Sequence, residues 1–229
     1  MKVMLLAAGK GTRMLPLTAT TPKPLLQVGG RSLIEHQIIK LRDAGFTEFV
    51  INHAWLGAQL EQALGDGGNH GVSIKWSREG EPLETAGGIL QALPLLGPAP
   101  FLVVNADIWT DFDFARLRTA LIFGGLVHLV LVPNPAHHPQ GDFALVDGKL
   151  RQPPVGTVPR WTYSGIGVYN PSLFAGLKPG KYPLLPLLQR AIATDDALGT
   201  LHHGEWEDIG TPERLQALDA KLRQRPETP

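Results

Sequence analysis

The chain lacks cysteine, net charge and long apolar runs, and each absence excludes a class of function. Without cysteine, its 229 residues can form no disulfide, thiol nucleophile or thiolate metal site, although oxygen-ligated metals remain open. Lys plus Arg and Asp plus Glu each number 21, so no basic face for nucleic acid is expected. No apolar run reaches the ~18 residues of a membrane span, and no signal-peptide pattern is present. We therefore expect a soluble cytoplasmic protein.

Strand and helix patterns alternate through the first part of the chain. Short apolar runs predict buried strands at residues 3–7, 48–52, 72–76 and 101–105. Amphipathic runs between them predict helices at residues 32–44, 56–64 and 85–93. This alternation is typical of a largely parallel sheet flanked by helices, in which ligands bind beyond the carboxyl ends of the strands.

The pattern changes after residue 132. Strands at 143–146, 149–150 and 161–169, with a proline-broken segment at 151–159, predict an antiparallel insertion over the site. A helix is predicted at 182–193. Thr211 and Pro212 then supply the cap and first position of a closing helix that runs to about residue 222. We expect one domain that divides internally near residue 132.

A glycine-rich loop follows the first strand and predicts a phosphate site. Gly9 and Gly11 allow a tight turn whose backbone amides approach an anion. Lys10, Arg13 and Lys23 lie in or near this loop, and prolines on both sides of Lys23 stiffen the backbone that aims it. These residues together predict a polyphosphate ligand.

Two familiar glycine motifs do not account for this loop. The dinucleotide fingerprint requires a third glycine, where this chain has Met14. The Walker phosphate loop requires Lys-Ser/Thr after its second glycine, where this chain has Thr12-Arg13. A solvated glycine turn with scattered surface charges is the remaining alternative.

Two aspartates predict a metal site beside the loop. Asp107 follows the strand at 101–105, and Asp208 precedes the closing helix, which Thr211 can cap without it. Asp107 could itself be a turn or cap residue, but Thr110-Asp111 can cap the helix that follows. Two carboxylates can hold a Mg²⁺ ion that also binds substrate phosphates.

Several motifs together resemble the sugar-1-phosphate nucleotidylyltransferases over almost the whole chain. They lie at residues 6–18, 22–25, 105–111 and 208–211, and read LAAGKGTRMLPLT, PKPL, NADIWTD and DIGT. More narrowly, residues 52–57, 80–85, 105–111 and 141–143 are similar to the bacterial N-acetylmuramate 1-phosphate uridylyltransferases of peptidoglycan recycling. The resemblance implies a Rossmann-like three-layer α/β fold with a predominantly parallel, mixed central sheet and a small antiparallel insertion.

The resemblance also implies the reaction and the roles of individual residues. A sugar 1-phosphate, most closely N-acetylmuramate 1-phosphate, would attack the α-phosphorus of UTP, giving the UDP-sugar and pyrophosphate. Arg13 and Lys23 would be catalytic, and Asp107 and Asp208 would hold Mg²⁺. The nucleotide would bind a core at 1–132 through Ala8, Gly9, Gly11, Thr12, Arg13, Lys23, Glu79, Gly80 and Thr85. The sugar phosphate would contact Asn105, Asp142, Ser164 and Gly165, three of which lie within 133–229.

Some of these residues have alternative interpretations. Thr85 is equally a helix cap, and Asp142 could cap a strand turn. Glu79 stands where relatives often have glutamine, although a carboxylate could accept the N3 hydrogen of uracil. The adjacent histidines 137 and 138 are expected in a solvated loop rather than at a metal. The segment 151–160 lacks the Glu-x-Lys pair that relatives place against the sugar phosphate.

Other functions share the same motifs. The enzymatic alternatives are mannose-1-phosphate guanylyltransferase and phosphocholine cytidylyltransferase, and the non-enzymatic one is a nucleotide-sugar sensor. Intact Arg13, Lys23, Asp107 and Asp208 argue against a sensor, which needs no pair of metal carboxylates. The expected partners are UTP and a sugar 1-phosphate, without nucleic acid or membrane. We expect a monomer, because the chain is too short for the β-helix domain with which some relatives trimerise.

Overall fold

A nine-stranded mixed sheet forms the centre of the protein. The computed structural model describes residues 1–122, 124–153 and 156–224. The strands are β1 (Val3–Leu6), β2 (Gln27–Val28), β3 (Arg31–Ser32), β4 (Glu48–His53), β5 (Ser73–Arg78), β6 (Phe101–Asn105), β7 (Ile108–Thr110), β8 (Val127–Val132), β9 (Ala144–Val146), β10 (Lys149–Arg151), β11 (Thr162–Tyr169), β12 (Ala197–Leu201) and β13 (Trp206–Asp208). The α-helices are α1 (Leu33–Asp43), α2 (Gly57–Leu64), α3 (Glu84–Leu96), α4 (Leu185–Ala193) and α5 (Pro212–Arg223).

The order of the strands confirms the predicted α/β class. The central sheet runs β5-β4-β1-β6-β11-β8-β12-β10-β9, and its first four strands are parallel. Strand β11 is antiparallel to both of its neighbours, and β12 is parallel to β8. The β9–β10 hairpin continues this sheet at its far edge, and β2–β3 and β7–β13 form two small antiparallel sheets.

The parallel strands bring three chain segments to one edge. Leu6 at the end of β1 is in register with Asn52 of β4 on one side and Asn105 of β6 on the other. The glycine-rich loop leaves this edge after β1. Because parallel strands end on the same side, residues far apart in sequence meet beside this loop.

The helix boundaries follow the local signals in most places. Ser32 and Glu35 form the predicted capping box of α1, and the Thr211 hydroxyl accepts from the backbone N–H of Arg214 at the start of α5. Helix α4 begins at Leu185 rather than 182, after Pro183 and with Pro186 in its first turn.

Two predicted caps are wrong. Helix α3 already includes Glu84, so Thr85 lies inside its first turn and caps nothing. The 3₁₀ helix Phe114–Thr119 is capped by Asp113, whose side chain accepts from Ala115 N, rather than by Thr110 or Asp111. Thr110 belongs to β7, and its pairing with Trp206 moves the helix start downstream.

Two apolar cores cover the faces of the sheet, and a third, smaller cluster lies beside the glycine-rich loop. The alternation along β1 sends Val3 and Leu5 to one core and Met4 to the other. The third cluster packs Met14 of the glycine-rich loop against Ile209 and helix α5. In the parts of the chain that the structure describes, no helix has the length and apolar character to cross a membrane.

Candidate active site

The glycine-rich loop is anchored at one side and open at the other. Gly11 has φ +63° and its carbonyl accepts hydrogen bonds from Met14 N and the Thr18 hydroxyl, both at 2.8 Å. A Cβ at Gly11 would lie 2.9 Å from Thr18 Cγ2, whereas one at Gly9 would meet no atom within 4 Å. The backbone around Gly9 is therefore accessible to a ligand.

The loop forms one wall of a cavity of about 300 Å³. It is lined by Leu6, Ala7, Gly9, Gly11, Thr12, Arg13, Met14, Lys23, Pro24, Thr85, Asn105, Asp107 and Gly210. Lys23 is 9% exposed, and its Nζ lies 2.5 Å from Asp107 Oδ2. Arg13 is exposed and makes no hydrogen bond or ion pair within the described residues. Two cations thus face a site bounded by backbone amides, which suits a polyphosphate.

Backbone pairing brings the two predicted metal carboxylates together from opposite ends of the chain. Strand β13 pairs with β7 so that Asp208 lies opposite Ile108, and Ile209 N donates to the carbonyl of Asp107 at 2.8 Å. A Cβ at Gly210 would lie 3.1 Å from Asp208 Oδ2 and 3.3 Å from Arg13 Nη1. Arg13 and Asp208 therefore lie close to each other beside Gly210, which has no side chain to separate them.

The donor set suits a hard cation that shares its ligands with a substrate. No group of three or more His, Asp or Glu residues able to hold a metal occurs in residues 1–122, 124–153 and 156–224. Asp107 and Asp208 supply carboxylate oxygens, and Mg²⁺ is commonly held by one or two carboxylates together with substrate phosphates. The two aspartates beside a polyphosphate-type cavity fit that pattern.

A smaller cavity of about 170 Å³ adjoins the first and shares Leu6, Gly9 and Thr85 with it. Ala8, Asn52, Glu79, Pro82 and Glu84 complete its lining. Of the residues predicted to hold the base and ribose, Ala8, Gly9, Glu79 and Thr85 thus meet here, whereas Gly80 is outside the lining.

A third cavity of about 300 Å³ opens on the other side of Asp107. Its lining is Arg13, Asn105, Asp107, Ile108, His137, His138, Thr162, Tyr163, Ser164, Gly165, Trp206 and Asp208. Strand β11 bulges between Tyr163 and Ile166, and Gly165 has φ +80°. A Cβ at Gly165 would lie 2.6 Å from Asn105 Nδ2, so the glycine admits the asparagine to the cavity wall.

Two of the predicted sugar residues use their side chains inside the protein. The buried Ser164 hydroxyl donates to Val130 O at 2.7 Å and accepts from Ile166 N at 3.2 Å. Asp142 accepts from Tyr163 N at 2.7 Å and lies outside the cavity lining. This bond spans 21 residues, so it ties Asp142 to strand β11 and is not the cap of a local strand turn.

Tyr163 contributes to the wall from the core side. Its hydroxyl pairs with that of Tyr169 at 2.9 Å, and burial raises the pKa of Tyr163 to about 12. The tyrosine hydroxyl therefore stays protonated and turned away from the cavity.

Comparison with known proteins identifies the family. Residues 2–146 match the family model described as Nucleotidyl transferase. The chain belongs to this family. The chain is 51% identical over 225 residues to the N-acetylmuramate alpha-1-phosphate uridylyltransferase of Neisseria meningitidis serogroup B, covering 96% of this chain and 97% of the relative. It is 31% identical to the protein of the same name from Caulobacter vibrioides, covering 96% of each.

More distant nucleotidyl transferases share the domain. A mannose-1-phosphate guanyltransferase from Schizosaccharomyces pombe is 31% identical over 93% of this chain, which spans 61% of that relative. A Bacillus anthracis crystal structure with sucrose, named for a proposed glucose-1-phosphate thymidylyltransferase activity, has a TM-score of 0.87 at 21% identity. The alignment covers 100% of this chain and 97% of that one, and at this identity it shows the shared fold.

Four residues that line these cavities or contact their lining were not predicted as site residues. His137 Nε2 lies 3.0 Å from Asp208 Oδ1, and His138 Nε2 lies 3.0 Å from Asp142 Oδ1. The loop is solvated, as expected, and both histidines also line the third cavity. Arg214 Nη1 donates to Asp208 Oδ1 at 2.6 Å. Asn52 is the last residue but one of β4 and is in register with Leu6 beside the loop, and its place in the motif at 52–57 was the sequence signal that could have identified it.

Proposed function

We propose that this nucleotidyl transferase converts UTP and N-acetylmuramate α-1-phosphate to UDP-N-acetylmuramate and pyrophosphate in peptidoglycan recycling. The observation that carries the proposal is the row of three adjoining cavities, with Arg13, Lys23, Asp107 and Asp208 grouped at its centre. Such a row accommodates a base, a polyphosphate and a sugar in sequence. The 51% identity over nearly the whole of a uridylyltransferase supports the choice of substrates.

The reaction requires the protein to hold two negatively charged substrates next to each other. A phosphate oxygen of the sugar 1-phosphate attacks the α-phosphorus in line, and the bond from that phosphorus to the bridging oxygen of pyrophosphate breaks. Because the nucleophile is already an anion, no general base is needed. Arg13 binds the leaving pyrophosphate, and Lys23, next to Asp107, neutralises the reacting phosphates.

Asp107 and Asp208 are the residues that would hold Mg²⁺. When bound, the ion supplies positive charge to the phosphate oxygens of both substrates. Asp208 is itself held in place by Arg214 and His137, so its position depends on the first turn of α5 and on the loop before Asp142.

The remaining substrate groups bind on either side of this centre. Ala8, Gly9, Glu79 and Thr85 hold the base and ribose, and Asn105 and Gly165 face the sugar. We also propose one domain, with the nucleotide site mainly in residues 1–132 and the sugar site completed by 133–229. The enzyme acts as a monomer in the cytoplasm, where UTP is available.

The substrate pair is tested with a grid of triphosphates and phosphorylated acceptors read by pyrophosphate release. UTP, CTP and GTP are each combined with N-acetylmuramate 1-phosphate, mannose 1-phosphate and phosphocholine. We expect preferred turnover of UTP with N-acetylmuramate 1-phosphate. Preferred turnover of GTP with mannose 1-phosphate, or of CTP with phosphocholine, would overturn the substrate assignment, and nucleotide binding without any turnover would support a sensor.

The metal assignment predicts that Asp107→Asn loses activity while the fold is retained. We expect kcat to fall by roughly 100-fold or more, the scale of one lost transition-state contact in a phosphate site. The matched control is Asp111→Asn, because Asp111 lies nearby, is half exposed and pairs with His202 outside the three cavities. Unchanged Mg²⁺-dependent turnover in Asp107→Asn would remove Asp107 from the metal site.

A further inference from the structure

A hydrogen-bond chain of three bonds, two buried and one partly buried, runs beside the cavity of about 170 Å³ that Asn52 and Glu79 line. Ala7 N donates to Asn52 Oδ1 at 2.9 Å, and Asn52 Nδ2 donates to Glu79 Oε1 at 2.7 Å. Leu83 N then donates to Glu79 Oε2 at 2.9 Å. The two central side chains are almost fully buried, with Asn52 3% and Glu79 6% exposed. This hydrogen-bond chain joins the end of β1 to the start of α3.

The two backbone ends fix the direction of every bond in this chain. A backbone N–H can only donate, so Ala7 must face the carbonyl oxygen of the Asn52 amide. The amide nitrogen then faces Glu79, and Leu83 N–H requires the second carboxylate oxygen. Both oxygens of Glu79 are therefore acceptors. A glutamine at this position would have one oxygen for two donors and would set one N–H against another.

Gly88 of helix α3 makes this arrangement rigid. A Cβ there would lie 2.6 Å from Glu79 Oε1 and 2.9 Å from Asn52 Nδ2. The helix backbone therefore packs directly on the pair, and Glu79 N is held in addition by the carbonyl of His53 at 2.8 Å. With these supports the carboxylate has one orientation relative to the cavity.

We propose that Asn52 is a positioning residue that fixes Glu79 as a hydrogen-bond acceptor towards the base and so determines discrimination against cytosine. The inference rests on the proposed function, in which this cavity receives the base. The carboxylate retains unused lone pairs, and uracil offers them its N3–H. Cytosine presents a lone pair at N3, so the same contact is repulsive. A site built to accept a proton rejects the analogue that lacks it.

Two single substitutions break the chain in opposite ways. Asn52→Asp sets a carboxylate against Glu79, and Glu79→Gln leaves one of its two donors without an acceptor. We expect each to lower the melting temperature, raise KM for UTP about tenfold and reduce the ratio of kcat/KM for UTP over CTP. Glu81→Gln is the matched control, because Glu81 is exposed and lies outside the cavity. It should match the wild type in all three measurements.

The double variant Asn52→Asp/Glu79→Gln reverses the central bond and keeps both ends. The carboxylate introduced at 52 accepts from Ala7 N and from the amide at 79, whose oxygen still accepts from Leu83 N. We expect the melting temperature to recover. KM for UTP should stay about tenfold above the wild type, because the amide N–H that replaces the Glu79 oxygen opposes the N3–H of uracil. The preference for UTP over CTP should stay about tenfold lower, because the amide has a free N–H for cytosine N3.

Each outcome decides between these ideas. Single variants with wild-type KM and UTP preference, or a double variant whose melting temperature is no higher than that of either single variant, would overturn the inference. A double variant with the full wild-type preference would show that the carboxylate does not select the base. If the wild-type protein turns over no UTP, the proposed function fails, while the melting temperatures of the same proteins still test the hydrogen-bond chain.

Discussion

Two glycines of the glycine-rich loop differ in what a methyl group would meet. Gly11 combines φ +63° with a Cβ position 2.9 Å from Thr18 Cγ2, so Gly11→Ala should lower the free energy of unfolding by about 1–2 kcal/mol. Gly9 has open space there, so Gly9→Ala should change stability by less than about 0.5 kcal/mol. If the phosphates of UTP approach this backbone, the added methyl group of Gly9→Ala obstructs them, so the variant should raise KM for UTP without losing stability.

The pair of glycine variants separates folding from binding. Urea unfolding gives the stability of each variant, and initial rates at varied UTP give KM. The expected pattern is a stability loss in Gly11→Ala and a KM increase in Gly9→Ala. A Gly9→Ala enzyme with unaltered KM would argue that the loop backbone at this residue does not touch the triphosphate.

At the scale of elements, an ion pair fastens α2 to the ends of β4 and β5. Arg78 donates to both oxygens of Glu61, at 2.7 and 2.8 Å, and His53 contacts the same carboxylate at 2.6 Å. The hydrogen bond from Arg78 is the main cause that lowers the pKa of Glu61 to about 2. A carboxylate with a depressed pKa stabilises the fold above its unfolded value of 4.5, and this contribution is lost as the pH falls towards 2.

Glu61→Gln should therefore cost stability in a pH-dependent way. We expect a loss of about 1 kcal/mol at pH 7, a modest value because the pair is largely exposed to solvent. The difference from the wild type should shrink between pH 4.5 and 2, as urea titrations across that range would measure. Glu48→Gln, an exposed change at the first residue of β4, is the control. An equal loss at all pH values would contradict the assigned cause.

The elements predicted best are those whose signals are local. Ser32 with Glu35, and Thr211 with Pro212, mark helix starts through groups only a few residues apart. The cap expected at Thr110 was wrong because β7 exists only through pairing with β13, almost a hundred residues later. Local propensity contains no information about such a pairing.

The residues of the candidate site also fall into those that a local motif predicts and those that only the folded contacts bring in. Arg13, Lys23, Asp107 and Asp208 stand in recognisable motifs, and the family resemblance drawn from them is confirmed. His137 carries no motif of its own, and Asn52 stands in the motif at residues 52–57, which predicts no role for its side chain. Their importance comes from contacts with Asp208 and Glu79, which depend on how the strands are ordered.

At the scale of the whole molecule, the sheet crosses the boundary at residue 132. Strand β6 of the first part pairs with β11 of the second, and β8 lies between β11 and β12. The β9–β10 hairpin continues the same sheet, and the third apolar cluster joins Met14 to Ile209. The parts before and after residue 132 therefore contribute to both apolar cores, so we expect a single cooperative unfolding transition.

Two core substitutions, one in each part of the chain, test this cooperativity. Leu41 in α1 and Leu150 in β10 are both fully buried, and each Leu→Ala change should destabilise the protein by about 2–5 kcal/mol. If the protein unfolds as one cooperative unit, each variant lowers the urea midpoint, and circular dichroism and tryptophan fluorescence give the same midpoint for that variant. If Leu150→Ala moved only a partial transition, the insertion would unfold by itself. The sugar side would then be a separate unit docked on the nucleotide core.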